Sequence, residues 1–126
     1  MQVLVDTSVW IDHLHRGNPE LVALLRETLV VMHPAVLGEL AGGTLPNRQE
    51  FLALWLSLPR VASVSFEEAI ALLENRILWG ILWGRGLGWT DIHLLATALV
   101  ARTRLWTRHR ILRHAADELL IPLKGG

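Results

Sequence analysis

The chain has 126 residues, which predicts one domain with a single sizeable core and leaves no room for two catalytic domains. Apolar residues make up 52% and charged residues 19%, a balance that excludes a disordered chain, and the uncharged apolar stretches are too short to span a membrane. Twelve basic and twelve acidic residues give zero formal charge, which argues against nucleic-acid binding through one large basic face, and the lack of cysteine excludes disulfides and thiolate chemistry.

Short apolar runs alternate with helical patterns along the chain. The predicted strands are residues 2–5, 30–32, 60–64, 104–107 and 120–123. The predicted helices are residues 9–14, a helix that opens at Asn18-Pro19, residues 34–42, a helix from about residue 48, a long helix from about residue 66 to residue 83, residues 91–101 and residues 111–119. This alternation predicts one α/β domain over residues 1–126, with a central, mostly parallel sheet of four to five short strands flanked by helices.

Polar residues mark most of the predicted helix starts, where a side-chain oxygen can accept a hydrogen bond from a free N–H group. The candidate caps are Thr7 and Ser8, Asn18, Asn47 with Glu50, Ser65 with Glu68, and Thr90. Closely spaced glycines at 84, 86 and 88 predict a flexible joint before the helix at Thr90. Their spacing does not match a dinucleotide-binding fingerprint.

Residues 77–83 read ILWGILW and are apolar on every side of a helix. Trp79 and Trp83 are one turn apart and share a face, so this helix must bury more than one surface. Two interpretations remain open. The helix is either a central element of the domain's own core or the surface that meets a second copy or another partner.

Charge is segregated along the chain. Residues 1–96 hold six arginines against ten acids, a net charge of −4, whereas residues 97–126 hold five arginines and Lys124 against two acids, a net charge of +4. The five arginines fall between Arg102 and Arg113 with no acid among them, which suits bidentate contacts to phosphate. The alternative is a solvated helix face that forms salt bridges with the acidic part of the chain.

Three carboxylates are candidates for a functional site, which in α/β domains lies beyond the carboxyl ends of the strands. Asp6 ends the first predicted strand, Asp91 lies in a first helical turn, and Glu39 is surrounded by apolar residues in VLGELAGG. The helix dipole alone would favour Asp91, whereas a buried Glu39 would need a partner. The residues by themselves do not show that the three carboxylates converge.

Four segments, VLVDTSVWIDHL, PAVLGEL, RGLGWTDIHLLATAL and LWTRHRIL, occur in this order over residues 3–112. In sequence and interval they resemble the PIN domain, specifically toxins of the VapC type from bacterial toxin–antitoxin pairs. The resemblance implies a small metal-dependent endoribonuclease with four acids at the carboxyl edge of a parallel sheet. Asp6, Glu39 and Asp91 match three of these positions as catalytic residues, with Asp6 and Asp91 as Mg²⁺ ligands and Glu39 as a further candidate ligand.

The fourth acidic position is where this sequence departs from the family. In similar proteins LWT is followed by one residue and then Asp, but here Thr107 is followed by Arg108 and His109. An imidazole nitrogen in place of a carboxylate oxygen predicts weaker Mg²⁺ binding and a preference for Mn²⁺ if His109 is a ligand. Thr107 keeps a hydroxyl there, and with Thr7 and Ser8 it is expected to support the acids. We therefore expect reduced or metal-shifted activity.

Other residues receive more modest assignments. Asp12 lies four residues before Arg16, the spacing of a helix ion pair, and His93 is expected to be packed or hydrogen-bonded rather than a metal ligand. Trp89 is the tryptophan that we expect to stack on RNA bases, because it stands near Asp91. The candidates for attracting the RNA backbone are Arg108 and Arg110.

The leading hypothesis is a ribonuclease toxin that forms a homodimer, is inhibited by a cognate antitoxin protein and cleaves RNA, with transfer RNA favoured by family analogy. The alternative is a catalytically weakened PIN module that acts through RNA or antitoxin and operator binding. A receiver-like phosphorylation domain would need paired acids after the first strand and a late lysine, but Asp6 stands alone and Lys124 is in the tail. Asp6 also interrupts the apolar stretch of a signal peptide, so we expect a cytoplasmic protein without membrane attachment.

Overall fold

Three segments rich in valine and leucine form the sheet in the computed structural model, which describes residues 1–125, with the backbone alone for residues 76–78. Within this range the strands are β1 (Val3–Val5), β2 (Val30–Val31) and β3 (Arg104–Trp106), which lie parallel in the order β2-β1-β3. All but Arg104 are buried, in agreement with short strands covered on both faces. The predicted α/β architecture is therefore confirmed.

The prediction of four to five strands was wrong for the described residues. Residues 60–64 contribute a single parallel bridge, from Arg60 to Met32, and residues 120–123 contribute one from Leu123 to Leu105. Proline limits both segments, since Pro59 and Pro122 have no N–H to donate to a ladder. Each segment consequently borders the sheet without extending it.

Helices surround this sheet along the described chain. Their bounds are α1 Thr7–Arg16, α2 Pro19–Arg26, α3 Pro34–Gly42, α4 Arg48–Ser57, α5 Phe66–Leu73, α6 Arg76–Leu82, α7 Trp89–Ala101 and α8 Arg110–Glu118. Among these residues no helix is long and apolar enough to cross a membrane. The core between sheet and helices includes Trp10 and Trp55, both fully buried and packed edge to face with their ring centroids 6.3 Å apart.

Two of the predicted caps are confirmed. The Asn18 side chain accepts a hydrogen bond from the Leu21 N–H at the start of α2. Ser65 and Glu68 form a reciprocal capping box at the start of α5, in which each side chain bonds the other residue's backbone N–H.

The other cap predictions were wrong. Asp6, rather than Thr7 or Ser8, is the N-cap of α1, and its side chain makes no capping hydrogen bond. Asn47 starts α4 in the left-handed conformation without a side-chain cap. α7 begins at Trp89, before the predicted cap Thr90, because the first turn is closed by the Asp91 carboxylate accepting from the Gly88 N–H at 3.3 Å.

The long helix predicted from residue 66 to residue 83 is divided into α5 and α6. Asn75 lies between them, and its carbonyl accepts the Trp79 N–H at 2.8 Å, as the residue before a helix does. Trp79 and Trp83 are 51% and 68% exposed, so the interpretation of this face as part of the core was wrong. The side chains at positions 77 and 78 lie outside the described residues.

Candidate active site

The carboxyl ends of the three strands meet at one edge of the sheet, and polar side chains follow each of them. Asp6 directly follows β1, His33 lies just beyond β2, and Thr107 directly follows β3. All three are buried, with exposed fractions of 7%, 3% and 1%. Because β1 is the central strand, Asp6 lies between the other two positions.

Two hydroxyl groups hold the Asp6 carboxylate. Its Oδ2 accepts hydrogen bonds from Ser8 Oγ at 2.8 Å and from Thr107 Oγ1 at 2.6 Å. The same hydroxyls accept the backbone N–H groups of Arg108 and His109, at 2.9 Å and 3.0 Å. The loop after β3 is therefore tied to Asp6, and this arrangement explains why Ser8 does not cap α1.

Glu39 approaches this group from α3. Its side chain is exposed, which corrects the expectation of a buried carboxylate, and its Oε1 accepts a hydrogen bond from Thr7 Oγ1 at 3.4 Å. Partial desolvation and then the neighbouring charges of Asp6 and Asp91 raise the pKa of Glu39, against the opposing effect of Thr7. Glu39 thus lies close enough to both Asp6 and Asp91 for their charges to act on it.

Asp91 and His109 face each other across the site. Asp91 stands in the first turn of α7, and its Oδ2 lies 3.8 Å from Nδ1 of His109, which precedes α8. This separation is longer than a hydrogen bond. His109, the residue at the fourth position of the family pattern, therefore lies beside Asp91, and its assignment as a metal ligand stays a prediction.

The donor set fits a hydrated divalent cation better than a fully enclosed one. Within the part of the chain that the structure describes, no three histidine, aspartate or glutamate side chains are grouped closely enough to hold an ion by direct contacts alone. Mg²⁺ is commonly held by one or two carboxylates while it keeps several waters. Burial is the first cause of the raised pKa of Glu39, and the charges of Asp6 and Asp91 add to it, so a cation beside these carboxylates would offset their negative charge.

Arginines lie on the β3 side of the acids. Arg108 Nη1 is 3.1 Å from Asp12 Oδ2, and Asp12 also forms the predicted ion pair with Arg16. Hydrogen bonding to Arg16 and then the charge of Arg108 lower the pKa of Asp12. Arg110 is exposed and forms no ion pair with any described residue.

A polar cleft of about 410 Å³ opens beside these arginines. Its lining consists of Asn18, Glu20, Trp106, Thr107, Arg108, Arg110, Arg113 and Gly125. The Thr107 hydroxyl also donates to Asp6, so the cleft shares one lining residue with the surroundings of this carboxylate. Arg113 is already engaged, since its guanidinium donates to the carbonyls of Thr107 and Gly125 at 3.4 and 3.1 Å.

Two residues near the site were missed by the sequence reasoning. His33 sits at the end of β2 as the N-cap of α3, and its position between a predicted strand and Pro34 could have revealed it. Phe66 packs against Trp89 with ring centroids 5.5 Å apart, a contact that no local pattern signals. His93 is packed between Trp89 and His33, as expected of a histidine that is not a ligand.

Comparison with known proteins agrees with this architecture. A family model described as PIN domain matches residues 3–118. The chain is also similar to two curated proteins named Ribonuclease VapC32, from Mycobacterium tuberculosis strains CDC 1551 / Oshkosh and ATCC 25618 / H37Rv. Each is 43% identical over 117 residues, which cover 92% of this chain and 91% of the relative.

Proposed function

The chain belongs to the PIN-domain family, and on that premise we propose that this VapC-type ribonuclease toxin hydrolyses RNA phosphodiester bonds at the site formed by Asp6, Glu39 and Asp91. The observation that carries the proposal is the place of Asp6, held by two hydroxyls at the carboxyl end of the central strand, with Glu39 close enough for its pKa to be raised by burial and then by the charges of Asp6 and Asp91. Carboxylates grouped at this edge of a parallel sheet, one of them with a perturbed pKa, are typical of catalytic sites.

Asp6 and Asp91 would hold a divalent cation, with Glu39 and His109 as further ligands. When bound, the cation supplies Lewis-acid stabilisation of the charge that develops on the scissile phosphate. Mg²⁺ suits the carboxylate oxygens, and the His109 nitrogen favours Mn²⁺. The Ser8 and Thr107 hydroxyls fix the orientation of Asp6, because both donate to the same oxygen and leave Oδ1 without a hydrogen bond from any described residue.

Glu39 has the properties of a proton acceptor in this site. Its raised pKa makes its carboxylate a stronger base than a freely exposed glutamate, and its exposure gives water access to it. In the proposed reaction a Glu39 carboxylate oxygen takes a proton from the water that attacks phosphorus. The bond from phosphorus to the leaving ribose oxygen breaks, and that oxygen takes up a proton from solvent water. Thr7 keeps the side chain directed at the site through its hydrogen bond to Oε1.

RNA and a cognate antitoxin are the proposed partners. Arg108 and Arg110 supply the attraction for the RNA backbone that the acids cannot, and we take transfer RNA as the first substrate to test. The exposed Trp79 of α6, together with Trp83 directly after this helix, is the candidate surface of a homodimer. Action on cellular RNA places the proposed activity in the cytoplasm.

A second candidate function follows from the His109–Asp91 contact of 3.8 Å. A protonated His109 would pair with Asp91 and compete with a cation for it. The chain would then be an attenuated PIN module that binds RNA or its antitoxin without efficient cleavage.

Cleavage of cellular RNA by the purified chain in Mg²⁺, in Mn²⁺ and in chelator tests the first proposal. Asp6→Asn removes a charge from the site and keeps its shape, whereas Asp117→Asn removes an exposed charge from α8 and serves as the matched control. We expect discrete cuts that require metal, vanish in Asp6→Asn and persist in Asp117→Asn. Retained RNA binding without cuts in either metal would instead favour the attenuated module.

A further inference from the structure

Phe66 and Trp89 form an exposed aromatic pair on the surface of the domain. Their side chains are 60% and 42% exposed, and their ring centroids are 5.5 Å apart with an interplanar angle of 53°. Trp10 and Trp55, by comparison, are fully buried in the core. Two exposed rings in contact leave aromatic faces open to a flat ligand.

Two histidine rings pack behind this aromatic pair. His93 lies one helical turn from Trp89, and its ring meets the indole edge to face at 4.8 Å. His33 packs against His93 at 5.8 Å and is itself fixed as the N-cap of α3. Because helix starts and packed rings hold the pair in place, a ligand would bind to it with little ordering cost.

The pair and Arg108 are connected to opposite sides of Asp6. The rings connect through His93 to His33, which follows the outer strand β2, whereas Arg108 follows the outer strand β3. Asp6 follows the central strand β1 between them. A polymer of alternating phosphates and flat bases that crosses this edge would meet cations on one flank and aromatic faces on the other.

We propose that Phe66 and Trp89 form a stacking platform for an unpaired RNA base near the scissile phosphate. This inference rests on the proposed ribonuclease function and adds a base-binding position to it. Proteins that read single-stranded RNA stack its splayed bases on aromatic rings. Two rings match one base in size, whereas a protein partner would need about 800 Å² of surface.

The test measures the affinity of the whole chain for a short single-stranded RNA that carries 2-aminopurine, in chelator so that no cleavage occurs. Trp89→Leu keeps apolar bulk without an aromatic face, and Trp89→Phe restores the face. Val100→Ala trims an exposed apolar residue at the other end of α7 and serves as the control. We expect Trp89→Leu to raise Kd about 5-fold to 150-fold, with Trp89→Phe and Val100→Ala near the unmodified chain.

Three further readouts separate stacking from other causes. The 2-aminopurine fluorescence should be quenched by the unmodified chain, the same RNA annealed to its complement should bind more weakly, and an abasic RNA should erase the effect of Trp89→Leu. An unchanged Kd for Trp89→Leu overturns the platform, as does an equal loss in Trp89→Phe or on abasic RNA. Weakened antitoxin binding with unchanged RNA binding also overturns it and assigns the surface to a protein.

Cleavage of the same RNA in Mn²⁺ by the unmodified chain distinguishes the two proposals. If the unmodified chain cuts the RNA and Trp89→Leu leaves the Kd unchanged, the platform is rejected and the ribonuclease function remains. Stacking that depends on Trp89, without cuts, would support the platform and reject the ribonuclease function.

Discussion

Acid should destabilise the domain through His33, which begins the helix that carries Glu39. The His33 ring is only 3% exposed, its Nδ1 accepts the Ala35 N–H at 3.0 Å, and its Nε2 lies 3.3 Å from Thr97 Oγ1. Burial and then the neighbouring His93 lower the pKa of His33 from 6.5 to about 4. Protonation would remove the acceptor that caps α3 and would place a charge in the interior.

The size of the effect follows from the difference between the folded and unfolded pKa values. Because the folded pKa is the lower one, the unfolded chain takes up the proton first, so stability is intact above about pH 6.5 and falls as the pH approaches 4. A difference of about 2.5 pH units corresponds to about 3 kcal/mol in total. About 2 kcal/mol of this should be lost between pH 7 and pH 5.

Urea unfolding at pH 7, 6 and 5 provides the measurement, with His33→Asn as the reference. Asparagine keeps an acceptor at the N-cap and does not titrate in this range. The free energy of unfolding of the unmodified chain should fall by about 2 kcal/mol more than that of the variant over these pH values. An equal fall in both proteins would refute the argument and show that His33 does not experience the burial seen here.

Three further predictions concern the acidic site and its basic flank. Glu39→Gln should abolish cleavage and raise the melting temperature of the metal-free chain at pH 8, because the fold disfavours ionised Glu39. An unchanged or lower melting temperature would contradict this. Arg110→Gln should reduce the slope of log Kd against log salt for single-stranded RNA by about 0.7, and Arg108→Gln by less, because Asp12 already pairs with Arg108. His109→Asp should raise the Mg²⁺-supported cleavage rate relative to the Mn²⁺-supported rate, and a constant ratio would remove His109 from the metal site.

Local chemistry was the part of the fold that the sequence could predict. Asn18 followed by Pro19, and Ser65 followed by Glu68 three residues on, mark helix starts because the hydrogen bonds involved span only a few residues. The valine-rich strand before Asp6 was equally clear, since its burial on both faces leaves an apolar run. These signals need no knowledge of tertiary neighbours, and the structure confirms them.

Predictions that depended on distant partners failed. Residues 60–64 and 120–123 have strand-like composition, but each meets the sheet at one bridge. The Ser8 hydroxyl looked like a cap because the sequence does not show that Asp6 and the Arg108 backbone compete for it. Where a side chain has two possible hydrogen-bond partners, the distances and angles in the folded chain decide which bond forms. Those distances and angles depend on the whole fold.

The candidate site depended on distant partners throughout. Asp6 and Thr107 are 101 positions apart, yet a 2.6 Å hydrogen bond joins them. The parallel strand order supplies this contact, because it places the ends of β1 and β3 side by side. Family resemblance could identify the acids from their order and spacing along the chain. It could not show that the charges of Asp6 and Asp91 help to raise the pKa of Glu39.

The strand order also explains how a chain with zero net charge could bind RNA. Most of the acids lie in the first 96 residues and the basic cluster lies in the last 30, but β1 and β3 are neighbours, so the two regions meet at one edge. The ion pair between Asp12 and Arg108 joins the two regions. It holds the Arg108 guanidinium beside the acids and leaves the candidate site itself open. Net charge therefore does not describe the local field. In the proposed function the arginines on this flank would attract phosphate, and a divalent cation would offset the charge of the acids next to them.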